Sequence, residues 1–315
     1  LGCKSSVAEI IFKNVFVSAK FVYSFKIHLF VQKFIHSFIQ NSFIHSFIHS
    51  MIKLIGIPFD GHSSFLKGSA FAPQRIRLMD SEGSANSFSE NGVEFKDGIN
   101  YVDCGDISFE NTNSKEVFDT IKKEISGLLT DGNKVISLGG DHSISYPVIS
   151  CFLDKYQTIN ILHLDAHADL YDNFDENPYS HASPFARLME SGKVNSLTQV
   201  GIRTLNTHQQ EQANKFGVKI IEMKDFNLDF LQTLQSTLYV SLDLDVLDPA
   251  FAPGISHHEP GGMTTRELLQ IIQNIPVEII GADIVEYNPI RDVNNMTAMV
   301  AYKLMKELMA KMLTT

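Results

Sequence analysis

Ile159-Asn-Ile-Leu-His-Leu164 runs directly into Asp165-Ala-His-Ala-Asp169. Six mostly apolar residues read as a buried strand, which delivers the acids and imidazole that follow to its carboxyl end. Asp165, His167 and Asp169 alternate, so in an extended segment their side chains share one face. The run before Asp243-Leu-Asp245 repeats the arrangement, and Leu138-Gly-Gly-Asp-His-Ser143 and Asp283-Ile-Val-Glu286 also follow strand-like runs. Ligands in open α/β sheets gather beyond the carboxyl ends of strands. Four distant segments therefore point to one site.

Working outward, strand-like segments fall at 51–57, 100–104, 134–138, 159–164, 197–202, 218–222, 237–242 and 279–284. Helical patterns lie between them, at 71–79, 114–130, 145–155, 181–191, 208–216, 224–235, 264–274 and 294–312. The helix from 114 takes Ser114 as its cap, places Val117, Ile121, Ile125 and Leu128 on one face, and stops before Gly132. Regular βα alternation implies a mostly parallel sheet covered by helices on both faces. Residues 80–98 and 171–181 read as loops long enough to be functional.

Of the 315 residues 44% are hydrophobic and 20% charged, which suits a globular protein with a large core. A net charge of −10 argues against a general nucleic-acid binder. Cys3, Cys104 and Cys151 show no CxxC spacing, which fits free thiols in a reducing compartment. Residues 1–50 are a different population, with five lysines, one acid and a short Phe-Ile-His-Ser repeat. They read as a leader outside the fold, either a targeting peptide or sequence upstream of a start at Met51. His and Ser interrupt them too often for a membrane span. His28, His36, His45 and His49 are set aside from the site for that reason.

Acids crowded together without a counter-charge repel one another, so a cation must sit among them. Carboxylates and imidazoles without a thiolate suit Mn²⁺ better than structural Zn²⁺. Gly139-Gly140 lacks the spacing of a phosphate loop and reads as a tight turn presenting Asp141 and His142. His163 is placed out of phase with the Asp165 face and reads as a satisfied core histidine. Met263, Met296, Met299, Met305 and Met309 read as helix packing.

The Gly-Gly-Asp-His-Ser, Asp-Ala-His-x-Asp and Ser-x-Asp-x-Asp-x-Leu-Asp-Pro motifs resemble those of the ureohydrolases, the arginases and agmatinases. The resemblance covers residues 51–315. It is closest to plant-type arginases and bacterial agmatinase-like proteins, through Gly61–Pro73, Tyr179–Arg187 and Ser256–Gly262. It implies an α/β three-layer sandwich with an eight-stranded, mostly parallel sheet, assembled as a homotrimer or homohexamer. It also implies two Mn²⁺ ions per subunit: His142 and Asp169 on one, His167 and Asp245 on the other, Asp165 and Asp243 bridging. Glu286 would pair with a guanidinium and His181 would shuttle a proton. Asn173, Asn206 and His257 join Glu286 as substrate contacts. The implied activity releases urea from a small guanidino compound, in the cytoplasm, or in mitochondria if the leader is a transit peptide.

Between agmatine and L-arginine, the acids of Tyr171–Ser180 and Asn206 at an expected aspartate position lean toward agmatine. Two alternatives stay open. One is hydrolysis of another guanidino or amide compound, as in a deacetylase-like enzyme. The other is a non-catalytic binding subunit.

Overall fold

The computed structural model describes residues 51–83, 85–110, 113–130 and 132–314. The leader and its histidines lie outside the described residues. Among the described residues every expected strand forms. They are β1 (Ile52–Ile57), β2 (Tyr101–Asp106), β3 (Lys134–Gly139), β4 (Ile159–Leu164), β5 (Val194–Ile202), β6 (Lys219–Glu222), β7 (Leu238–Asp243) and β8 (Ile279–Val285). They make one sheet in the order β2-β1-β3-β8-β7-β4-β5-β6. All seven neighbouring pairs are parallel, so the sheet is wholly rather than mostly so.

The central strands β4, β7 and β8 are buried along their whole length, as a sheet covered on both faces requires. One apolar layer packs beneath α1 (Ala72–Ser81), α6 (Thr265–Asn274) and α7 (Met296–Thr314). The other packs beneath α2 (Ser114–Leu128), α3 (Ser145–Tyr156), α4 (Pro184–Glu190) and α5 (Thr207–Phe216). The α6 helix shows why such segments form. Leu268, Leu269, Ile271 and Ile272 share its buried face, and Thr264 and Glu267 close a capping box at its start. A cap of that kind stabilises by about 1 kcal/mol.

Some local expectations change. The helical pattern at 224–235 becomes two 3₁₀ turns, Met223–Asp225 and Leu228–Thr233. Asn227 between them accepts a hydrogen bond from the Asp229 N–H, which starts a new turn and interrupts an α-helix. The α2 cap is Asn113 rather than Ser114, because its side chain accepts from the Lys115 N–H. Helix α4 starts at Pro184, so His181 precedes it. Met263, Met305 and Met309 are buried and Met299 packs against the core, but Met296 is 49% exposed at the open end of α7.

The order places β3, β8, β7 and β4 side by side, so the four motif-bearing strands are neighbours and their carboxyl ends meet. That adjacency assembles the site.

Candidate active site

The turn after β3 is held against the loop after β1. Gly140 N–H donates to the Ile57 carbonyl and Asp141 N–H to the Phe59 carbonyl. A Cβ on Gly140 would lie 1.8 Å from the Phe59 oxygen, so only glycine fits this approach. Asp141 caps the turn that follows and ties down the 61–64 loop through the His62 N–H at 2.9 Å. His142 is thereby pushed into the centre of the site, fully buried.

Around His142 Nδ1 stand Asp165 Oδ2 at 3.2 Å, Asp169 Oδ2 at 3.1 Å and Asp243 Oδ2 at 3.1 Å. His167 Nδ1 lies 2.9 Å from Asp245 Oδ2 and 3.4 Å from Asp165 Oδ1. Asp165 thus touches both imidazoles. The six residues expected as ligands converge, though not by the expected geometry. The chain bends after Leu164 instead of staying extended, Asp169 takes a positive φ of 49°, and Asp245 sits in a 3₁₀ turn. Backbone N–H groups fix the acids: Asp165 accepts from His167 N, Asp243 from Asp245 N and Asp245 from Ala166 N.

Hydrogen-bond accounting tests whether a cation fits. Asp283 accepts at one oxygen from Tyr239 OH at 2.8 Å and at the other from Ser241 Oγ at 2.7 Å. With its proton committed to Asp283, Ser241 Oγ accepts from His142 Nε2 at 3.0 Å. The neutral ring, the form that can ligate, then turns its Nδ1 lone pair toward three carboxylates, and Nδ1 is a buried atom without a hydrogen-bond partner. The same acids favour positive charge there, holding the histidine well above its usual range against burial. Lone pairs facing one another in a dry site repel unless a cation lies between them. The Asp243 carboxyl shows the same strain: burial, then Asp245 and Asp165, push its pKa well above the usual range. The residues fit a metal.

A cavity of about 260 Å³ opens on this cluster. Glu286 at its wall is buried, with a positive φ of 63° fixed by its N–H to the Gly140 carbonyl. Its Oε1 accepts from His142 N at 2.8 Å and lies 3.3 Å from His181 Nδ1. Burial works against a charged His181, but Glu286, together with Asp169 and Asp141 nearby, outweighs it and raises the histidine to about 9. Ser64 Oγ lies 2.8 Å from His181 Nε2, and the His257 ring stacks on His181 at 5.4 Å.

The residues expected as outer contacts are not all placed alike. His257 lines the cavity, whereas Asn173 and Asn206 do not. Asn173 is exposed, and Asn206 caps α5 by accepting from Gln209 N–H. Asp172, Asp175 and Glu176 are exposed and lie outside the lining, which removes the main support for the agmatine lean. His163 lies on the same side as Asp165, since residues two apart along a strand share a face, and its Nε2 reaches Asp165 Oδ2 at 2.7 Å. The sequence reading missed Ser64, Tyr171, Thr204, Gln209 and Glu259, which line the cavity mouth. Ser64 and Glu259 fall within the quoted Gly61–Pro73 and Ser256–Gly262 motifs, the only signal that pointed near them.

The arginase family model matches residues 50–311. The chain belongs to the arginase family. It is 46% identical to mitochondrial arginase 1 of Arabidopsis thaliana, over 82% of this chain and 80% of that protein. It is 32% identical to an agmatinase of Bacillus anthracis, over 82% of this chain and 90% of that protein. Its fold matches an arginase from Medicago truncatula with a TM-score of 0.78 at 42% identity, covering 84% of this chain and 88% of that one. This arginase-family protein is therefore an enzyme of the amidinohydrolase type, and its buried His/Asp cluster is a candidate metal centre. The deacetylase-like and non-catalytic alternatives lose their support.

Proposed function

We propose that the enzyme hydrolyses L-arginine to urea and L-ornithine with two manganese ions. The observation that carries this reading is the buried cluster around His142 and His167, open to the cavity on the side where Glu286 and His181 stand. His142 and Asp169 would hold one ion and His167 and Asp245 the other, with Asp165 and Asp243 shared. Two such ions would supply an acidified water as the nucleophile near neutral pH.

The remaining work falls to the chain. Glu286 offers a buried carboxylate to the planar N–H fork of a guanidinium. In the free enzyme His181 occupies that carboxylate as a cation. A guanidinium arriving there competes for Glu286 and lowers the affinity of His181 for its proton, which can then pass to the leaving amine. Ser64 holds the far side of the ring.

At the mouth, Ser64, Tyr171 and Gln209 offer neutral donors for an α-carboxylate, and Glu259 an acceptor for an α-ammonium. Closer identity to plant arginases than to agmatinases favours L-arginine. Agmatine is the second reading, because no lysine or arginine lines the cavity among the described residues. The test is kcat/KM for both substrates with manganese loaded. A preference for L-arginine supports the proposal, a preference for agmatine replaces it, and no urea from either with both ions bound removes both.

Residues 1–50 enter this proposal as a leader outside the catalytic unit, Met51–Thr315. Relatives whose names carry a mitochondrial location make that compartment the first to test, ahead of the cytoplasm. No helix among the described residues is long and apolar enough to cross a membrane. A homotrimer or homohexamer is proposed from the resemblance.

A further inference from the structure

The sheet register lines up Ser137, Asp283, Ser241, His163 and Gln199 as successive partners across β3, β8, β7, β4 and β5. All five are fully buried. A buried polar row costs free energy unless its groups are hydrogen-bonded. Asp283 and Ser241 are accounted for by the orientation of His142. The other half of the row has its own logic.

Gln199 Nε2 lies 2.6 Å from the Ala168 carbonyl oxygen and 3.0 Å from His163 Nδ1. A carbonyl can only accept, so the amide must turn its nitrogen this way. The second N–H of that nitrogen then meets Nδ1, which must accept. A neutral imidazole that accepts at Nδ1 carries its proton at Nε2. That nitrogen sits 2.7 Å from Asp165 Oδ2, and Phe185 stacks on the ring at 3.9 Å to hold its plane. His163 stands within ligand distance of His142, Asp165 and Asp169, yet with a proton at Nε2 and Nδ1 engaged it has no lone pair left for a metal. The other oxygen of Asp165 accepts from His167 N at 2.6 Å. Each oxygen thus takes one fixed hydrogen bond and keeps a second lone pair for an ion.

We propose that Gln199 and His163 are positioning residues: Gln199 fixes the tautomer of His163, and His163 holds the shared carboxylate Asp165 where it can bridge two metal ions. The inference rests on the two-metal reading of the cluster.

The test titrates metal-free protein with Mn²⁺ and follows free ion by electron paramagnetic resonance, with far-UV circular dichroism confirming the fold. Wild type should take up two ions per chain. His163→Phe keeps an aromatic ring against Phe185 but removes the donor. It should weaken at least one ion by about 10- to 100-fold, the usual scale for an outer hydrogen bond to a ligand. His163→Gln, which puts an amide N–H near the old Nε2 position, should restore most of the affinity. Gln199→Met should weaken binding less than His163→Phe, and it decides the matter if that variant does not fold. A lower melting temperature with unaltered Mn²⁺ affinity would mean a merely structural role and would overturn the relay. Two ions in wild type with unaltered variants overturns the relay alone; fewer than two in wild type overturns the two-metal reading and the relay together.

Discussion

At and beneath the floor of the cavity, Asp165, Asp243 and Asp245 sit at or just past strand ends, buried, each accepting from a backbone N–H. Near its mouth, Asp172, Asp175 and Glu176 ride on a long loop and face solvent. The residue types are the same and the physical consequences opposite. Buried acids are screened far less, so the cluster calls for a cation, and their side-chain directions are fixed. Exposed acids are screened within about 10 Å at ordinary salt and contribute little field to a cavity they do not line. What a carboxylate does here is decided by whether a strand end or a loop carries it.

The strongest way to break that contrast is Asp243→Ala. Removing a carboxylate proposed to be shared by two ions should cost at least one Mn²⁺ and nearly all urea release. Metal analysis and a urea assay check it, and two retained ions with ordinary turnover would contradict the floor as described.

His181 lies between floor and mouth, and His181→Ala should separate chemistry from metal binding. Both ions should stay while kcat falls by about 10²- to 10⁴-fold, the span expected for a lost general acid. Loss of metal in this variant would place His181 in the cluster instead.

The His181–Glu286 pair also predicts a pH effect in the metal-free protein. Because the histidine is raised from 6.5 to about 9, its stabilising contribution is fully present below pH 6.5 and is lost as pH rises through 9. The stability gap between wild type and His181→Asn in urea unfolding should shrink by on the order of 2 kcal/mol between pH 6 and 9.5. A gap independent of pH would mean the pair is not charged.

At the mouth the effect should be small. Asp172→Asn with Glu176→Gln should change the ratio of kcat/KM for arginine and agmatine by less than about 2-fold at physiological salt, as exposed charges do. A larger shift would restore the loop acids as a selectivity filter.

The same contrast explains what the sequence made legible. The eight strands could be read because they are short runs, most of them apolar and β-branched, and for β4, β7 and β8 burial on both faces leaves few other fates. The six residues proposed as ligands were named through the resemblance, while the residue types alone said only that a cation belongs among them, and the structure brings the six together. The adjacency of β3, β8, β7 and β4 could not, since no local pattern encodes strand order. The segment after β6 was misread because Asn227 satisfies backbone groups locally, against the apolar periodicity around it. The capping role of Asn206 was passed over, because an asparagine before a helix commonly accepts from that helix's own first turn. His163 was misjudged on phase, and its partners Asp165 and Gln199 lie where only tertiary structure brings them.

The most direct test of the central claim is anomalous diffraction at the manganese edge from crystals of the manganese-loaded enzyme. The account predicts two peaks in the cluster, about 3.5–4 Å apart as in two-metal hydrolytic sites. One should be bound by His142 Nδ1 and the other by His167 Nδ1, with Asp165 and Asp243 reaching both. A single peak, or none among these six side chains in crystals of fully active enzyme, would contradict it.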